Sequence, residues 1–155
     1  MTQHHFALTS AEEWLAAANA DRTSAAWDWS NGRPAVLALG TRFDAIKIPD
    51  RVVYAAAGTT DRSTVSAALA TLGGPVVWAP ACRHYALVPA GTASSWRSPD
   101  AVALGRGAYL AAPRIDRTGP TGAHWAVPVR QPRQLCEPDA VAQLLTAADL
   151  RGSAW

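Results

Sequence analysis

The chain has 155 residues and a formal net charge of +2; 49% of its residues are hydrophobic and 17% are charged. This length suffices for the core of one domain over residues 1–155, and the composition argues against wholesale disorder. So small a net charge does not by itself indicate a nucleic-acid-binding protein, although 13 of the 14 basic side chains are arginines, whose forked guanidinium groups suit phosphates.

Capping residues and hydrophobic periodicity predict three helices. The first begins at a capping box formed by Ser10 and Glu13 and runs to about residue 20. Thr60-Asp61 is the predicted cap of a second helix that runs to residue 72, where two glycines end it. Pro138 opens the last helix, which is predicted to continue to about residue 148.

Short apolar runs bounded by Gly, Pro and Asn predict the strands. The tryptophan-rich segment 25–34 contains an Asn-Gly turn signal and is predicted to be a connection, while residues 52–56 are predicted to extend or pair with the strand before them. This order of elements predicts an α+β domain with a mainly antiparallel sheet and helices packed on it. The predicted strands cover residues 35–39, 43–48, 75–79, 85–88, 108–112 and 123–127.

Three of these segments carry a family resemblance. Arg83-His84-Tyr85 followed by Leu87-Val88-Pro89, the glycine-rich strand 105–113, and Gly122-Ala123-His124-Trp125 occur in that order. They resemble the motif strands of the prim-pol domain, the N-terminal domain of bifunctional DNA primase/polymerases in the archaeo-eukaryotic primase superfamily. The likeness covers roughly residues 35–145 and is closest to short stand-alone actinobacterial versions. It implies a prim-pol/RRM-like fold.

The acidic residues depart from the family pattern. The family holds two divalent ions with an acidic pair spaced by one residue and with a third acid on another strand. Asp44 matches the first acid, but Ile46 occupies the place of the second, and Val102 or Ala103 occupies that of the third. The chain is therefore predicted not to polymerise and to need no cofactor, Mg²⁺ or Mn²⁺ being expected only if activity remains.

The remaining motif residues predict a phosphate-binding groove. Arg83, His84, Arg106 and Lys47 are the candidate residues, and a nucleotide or single-stranded nucleic acid is the candidate ligand. Structural alternatives stay open for each residue. Asp44 would serve as a turn or cap residue, Lys47 as a solvated side chain, His84 as a histidine hydrogen-bonded within the sheet, and Arg106 as a turn residue between two glycines.

Two further functions compete with this prediction. One is a protein-interaction module that uses loop tryptophans Trp27, Trp29 and Trp96. The other is an active nucleotidyltransferase in which Asp44 acts with displaced acids, namely Asp28, Asp50 or Asp100.

The cysteines and the apolar runs suggest where the chain works. Cys82 and Cys136 are too few for a disulfide framework, and a zinc site that combines them with His84 and His124 is less favoured than two buried thiols. No apolar run of about 18 residues indicates a leader or a membrane span. A reducing cytoplasm and no membrane partner are expected.

Overall fold

The computed structural model describes residues 8–81, 83–119 and 121–152. Over these ranges the chain forms a single α+β domain, as the sequence predicts, and it has six helices and seven strands where three helices and six strands are predicted. The helices are α1 (Ser10–Ala16), α2 (Arg22–Ser30), α3 (Asp50–Ala57), α4 (Arg62–Ala70), α5 (Thr92–Ser95) and α6 (Pro138–Gly152). The strands are β1 (Ala35–Ala38), β2 (Phe43–Pro49), β3 (Val76–Ala79), β4 (Arg83–Pro89), β5 (Val102–Leu104), β6 (Tyr109–Ala112) and β7 (His124–Val127).

Five of these strands form the main sheet in the order β5-β2-β4-β3-β7, and every neighbouring pair is antiparallel. β1 and β6 form a separate antiparallel pair. The longest contact joins β2 to β4, where Ile48 lies opposite His84 and Lys47 lies opposite Tyr85. Because side chains alternate between the faces of a strand, this register decides which candidate residues share a face.

Each face of the main sheet is covered by its own apolar cluster. Ile46, Ile48 and Val76 face α3, α4 and α6, which contribute residues such as Leu69 and Leu144. On the opposite face, Phe43, Ala45 and Leu87 pack against α1, α2 and the β1–β6 pair. The sheet is therefore the middle layer of the domain.

Caps explain where several helices begin. The first capping box is one residue earlier than predicted, because Thr9 and Glu12 exchange the reciprocal hydrogen bonds. The Asp61 cap is confirmed, since its carboxylate accepts the Thr64 backbone N–H. The beginning of α6 at Pro138 is also as predicted.

Two segments form helices where the sequence predicts otherwise. Part of the predicted connection 25–34 belongs to α2, where Asp21 accepts the Thr23 N–H at the beginning and Trp29 donates its indole N–H to the Ala112 carbonyl. The predicted strand 52–56 belongs to α3, which buries Val52 and Val53 and ends at Gly58 with a φ of +75°. In both cases long-range packing overrides a short and ambiguous local pattern.

Some predictions cannot be placed. Residues 1–7, expected to be a loose start or a first strand, and Cys82 lie outside the described residues. Among the helices that are described, none combines the length and the hydrophobicity needed to cross a bilayer.

Candidate functional site

Asp44, the one acid in register with the family motif, is bound to the neighbouring backbone. It is 1% exposed, and its Oδ2 accepts the N–H groups of Gly91 at 3.1 Å and Ala93 at 2.9 Å. Gly105 packs against this carboxylate so closely that a Cβ there would lie 2.9 Å from Ala93 Cβ and 3.3 Å from Asp44 Oδ2. The carboxylate thus fixes the turn that leads from β4 into α5.

The position expected for the second acid lies beside one of the two candidates for the third, Ala103, while the other candidate, Val102, is opposite Lys47 and exposed. Ile46 on β2 is directly opposite Ala103 on β5. Ile46 is fully buried, and Ala103 packs against the same apolar cluster. Within the described ranges, no group of three or more His, Cys, Asp or Glu side chains is placed to hold a metal ion.

The four residues predicted to line one groove do not share a surface. Arg83 and His84 are adjacent on β4, so they occupy opposite faces; Arg83 is exposed and His84 is buried. Lys47 lies on the face of Arg83, because its neighbour Ile48 pairs with His84. The predicted groove is therefore wrong as a single site.

Arg106 lies at the other end of β2. Its backbone packs on Gly40, where a Cβ would lie 2.5 Å from Arg106 Cα, and the Gly40 N–H donates to Phe43 at the beginning of the strand. Arg83 pairs instead with Pro49 at the strand's end. Six residue steps separate Phe43 from Pro49, which is roughly 20 Å at about 3.3 Å per residue. Arg106 is exposed, and its backbone serves a turn.

His84 is the predicted residue around which a site does form. Its side chain is 4% exposed, and its Nδ1 lies 2.7 Å from Oδ1 of Asp50, the first residue of α3. The other carboxylate oxygen of Asp50 accepts the indole N–H of Trp78 at 3.0 Å. A strand histidine, a helix-start carboxylate and a tryptophan of the neighbouring strand thus form a connected polar group.

A pocket of about 200 Å³ opens beside this group. Aromatic rings form much of its wall. The ring centroids of Trp78 and His124 are 5.3 Å apart and their planes are tilted by 31°, while Tyr54 meets His84 edge-on at 6.4 Å. His124 Nδ1 is 2.9 Å from the Gly122 carbonyl, which helps hold the imidazole in place.

Polar groups from α4 and from the residue before its cap complete the lining. Thr60, Arg62 and Ser66 line the pocket together with the rings. Arg62 is exposed and donates one guanidinium N–H to the Thr118 carbonyl. Because a guanidinium has five N–H groups, the cation retains donors beyond that contact. The pocket therefore combines aromatic walls, hydroxyl groups and a positive charge.

The pKa of His84 is lowered from its usual value, chiefly because burial disfavours the charged imidazolium. The neighbouring Asp50 carboxylate opposes this shift, and His124 adds to it. We infer that the imidazole is neutral near pH 7, with its position set by Asp50.

The three candidate tryptophans differ in exposure and do not form the predicted interaction surface. Trp27 is 54% exposed, whereas Trp29 is 2% exposed and belongs to the core. Trp96 is half-buried against the cluster on the α6 side and donates its indole N–H to the Ala101 carbonyl. Only Trp27 of the three is an exposed aromatic side chain.

The structure also argues against Cys136 as a ligand of the alternative zinc site. Cys136 is buried, and its thiol contacts the Pro75 carbonyl at 3.5 Å. Burial raises the pKa of this thiol to about 12, so the thiolate form that binds metal is strongly disfavoured. His84 is already bound to Asp50.

Most residues of the pocket were not recognised as a group in the sequence. The sequence indicates Asp50 only as a displaced metal ligand, Trp78 only as core, and His124 as part of a motif strand or a zinc ligand, while it does not single out Tyr54 or Arg62. The connecting signal is the β2–β4 register, which places the residue after β2 beside His84. Comparison of the chain with family models, with curated proteins and with solved structures finds no match.

Proposed function

We propose that this chain is a prim-pol-like domain that binds a nucleotide, or the nucleotides of a single strand, without polymerising them. The strand order supports the fold part of this proposal. The run β2, α3–α4, β3, β4, α5, β5 is a β-α-β-β-α-β arrangement, which is the ferredoxin-like pattern. A four-stranded sheet of this kind is also the basis of RRM domains.

The observation that carries the proposal is the contrast between His84 and the acid positions. His84, the motif histidine of the resemblance, lines the pocket. Asp44 is bound to backbone N–H groups, and Ile46 and Ala103 are part of an apolar cluster. These positions offer a pair of divalent ions no second or third carboxylate, which favours binding over metal-assisted phosphoryl transfer at this site.

The pocket lining fits a nucleotide better than it fits a purely apolar ligand. Aromatic rings such as Trp78 and His124 offer a planar base a sequence-tolerant contact. Arg62 supplies a positive charge for a phosphate, and Thr60 and Ser66 supply hydroxyl groups for the sugar or the phosphate. Concave sites with a few convergent polar groups are typical of small-molecule binding.

Calorimetric titration tests this proposal with AMP and with a short oligodeoxythymidylate at two salt concentrations. We expect salt-sensitive binding that Arg62→Ala weakens, because the phosphate contact releases counterions. Arg130→Ala is the matched control, since Arg130 is also exposed but does not line the pocket. We also expect no primer extension with Mg²⁺ or Mn²⁺. No binding of either ligand, or primer extension by the wild type, would refute the proposal.

An exposed apolar surface favours protein interaction as a second candidate. Val36 is 53% exposed and Tyr109 is 65% exposed. Val36 pairs with Ala111 and Tyr109 pairs with Ala38, so Val36 and Tyr109 share the outward face of the β1–β6 pair. Sedimentation of wild type and Tyr109→Glu tests self-association through this face; a monomer in both cases would count against it.

A further inference from the structure

The contact between Asp50 and His84 bears on which ligand groups can form hydrogen bonds in the pocket. Asp50 Oδ1 and His84 Nδ1 are 2.7 Å apart and both atoms are buried, and neither forms a well-aligned hydrogen bond with any group of the described residues. Their close contact is therefore the one that can satisfy both atoms, and because two bare lone pairs at that distance would repel each other, we infer that a proton lies between them. It belongs to Nδ1, because a carboxylate near neutral pH is an acceptor.

If the proton of the neutral imidazole is on Nδ1, the other ring nitrogen of His84, Nε2, carries no proton. In a neutral imidazole with a protonated Nδ1, Nε2 carries a lone pair and accepts hydrogen bonds. His84 lines the pocket, and burial lowers the pKa of the imidazole, which favours the neutral form. Because Nδ1 faces Asp50, which does not line the pocket, Nε2 is the nitrogen left to act as an acceptor toward the pocket, and an acceptor repels a phosphate oxygen.

The size and walls of the pocket restrict the group that reaches this acceptor. Its volume of about 200 Å³ is below the roughly 300–1,000 Å³ of sites that enclose a drug-sized ligand. Trp78, His124 and Tyr54 supply flat surfaces around it. A single planar ring fits these limits, and the rest of a larger ligand remains outside, near the exposed Arg62.

We propose that the pocket selects a planar heteroaromatic ring bearing an N–H donor, such as an aminopurine or aminopyrimidine base, which donates to His84 Nε2. This inference rests on the proposed function only in naming a nucleotide as the source of the ring. The sequence predicts that His84 contacts a phosphate. In this proposal His84 instead accepts a hydrogen bond from the base, and any phosphate lies toward Arg62.

The tautomer can be measured without any ligand or variant. Long-range ¹H–¹⁵N NMR correlations of the imidazole distinguish a protonated Nδ1 from a protonated Nε2. We expect His84 to carry its proton on Nδ1 at pH 7.5. A proton on Nε2, or on both nitrogens, would overturn the inference.

Two matched rings test recognition. 9-Methyladenine has an exocyclic amino group as its N–H donor, whereas 9-methylpurine has the same ring without a donor. An unpaired buried acceptor costs about 1–3 kcal/mol. The adenine derivative should therefore bind roughly ten- to hundredfold more tightly. Equal affinities, or no binding of either ring, would overturn the inference.

Asp50→Asn is the sharpest variant because Trp78 fixes how the new amide is oriented. The Trp78 indole N–H requires an oxygen, so the asparagine oxygen faces Trp78 and its NH₂ group faces His84 Nδ1. His84 must then protonate Nε2, and the preference for 9-methyladenine should fall to near unity. Persistence of the full preference in a folded Asp50→Asn protein would count against the inference.

The two proposals can fail separately. If 9-methyladenine is preferred but AMP and the oligonucleotide do not bind, the ring site stands and the nucleotide function is refuted. If AMP binds and the two rings show no difference, the nucleotide function stands and the acceptor model is refuted. A thermal melt confirms that Asp50→Asn is folded, and the wild-type tautomer decides the matter if it is not.

Discussion

Substitutions of Asp44 test whether its carboxylate stabilises the fold or is a metal ligand. A structural role predicts that they lower the free energy of unfolding, whereas a metal-binding role predicts that neutralising the carboxylate raises it. The Oδ2 atom of Asp44 accepts two backbone N–H groups, from Gly91 and Ala93. Each hydrogen bond to a charged group contributes about 1.5–3 kcal/mol, so Asp44→Ala should destabilise the fold by about 3–6 kcal/mol. Asp44→Asn keeps an acceptor oxygen and should cost about 2 kcal/mol.

Urea denaturation monitored by tryptophan fluorescence measures both changes. The midpoint should move to lower urea while the slope stays constant, as expected for a change in the native state alone. Asp116→Ala is the control, because Asp116 is exposed and its ion pair with Arg114 contributes about 0–1 kcal/mol.

The opposite outcome would refute this reasoning. A protein that holds carboxylates for a metal is often stabilised when one of them is neutralised in the absence of the metal, because such a site is arranged for function at some expense of stability. A more stable Asp44→Asn protein would therefore indicate a metal site. A melting temperature that Mg²⁺ raises in the wild type but not in the variant would indicate the same.

Three further predictions concern packing and protonation. Gly105→Ala should lower the free energy of unfolding by about 1–3 kcal/mol, because the added Cβ clashes with Ala93. Gly119→Ala should change the free energy of unfolding by no more than about 0.5 kcal/mol in the same urea assay, because a Cβ there meets no atom within 4 Å. Trp29→Ala should cost about 3–5 kcal/mol because the indole is buried and hydrogen-bonded; a cost below about 1 kcal/mol would contradict its placement in the core. Burial lowers the pKa of His84 in the folded protein, so the unfolded chain takes up the proton at a higher pH. The contribution of His84 to the free energy of unfolding should therefore be fully present above pH 6.5 and should decrease as the pH falls below it. His84→Gln should show a shallower fall between pH 6.5 and 5, and identical pH profiles would exclude the shift.

Local signals in the sequence predict much of the fold. The Asp61 cap, the proline that opens α6 and the short apolar runs that become β1 to β4, β6 and β7 act over a few residues, and each is visible as a pattern. The short strand β5 and the one-turn helix α5 lack such a pattern and were not predicted. The α3 segment was misassigned because its valine and alanine run fits both helices and strands, and the α2 segment because the Asn-Gly turn signal that follows it was taken to cover the tryptophan-rich residues before it.

The site is harder to predict because it depends on register. Arg83 and His84 are neighbours in the chain, and only the pairing of Ile48 with His84 reveals that Lys47 and Arg83 share the opposite face. The Asp50 contact joins residues 34 positions apart, given by 84 minus 50. Residue types identified His84 as important, but the groups that accompany it follow from tertiary packing.

The pairing of Ile46 with Ala103 also bears on whether this sheet can gain a metal site by stepwise mutation. Either substitution to an acid, made alone, places a single carboxylate against the apolar cluster that covers this face. At the fully buried Ile46, a lone charge without a partner costs several kcal/mol, a large share of the roughly 5–15 kcal/mol that stabilises a typical domain, whereas Ala103 is only partly buried. An acid introduced at Ile46 alone is therefore expected to destabilise the domain strongly, which makes the acidic pair costly to regain one residue at a time.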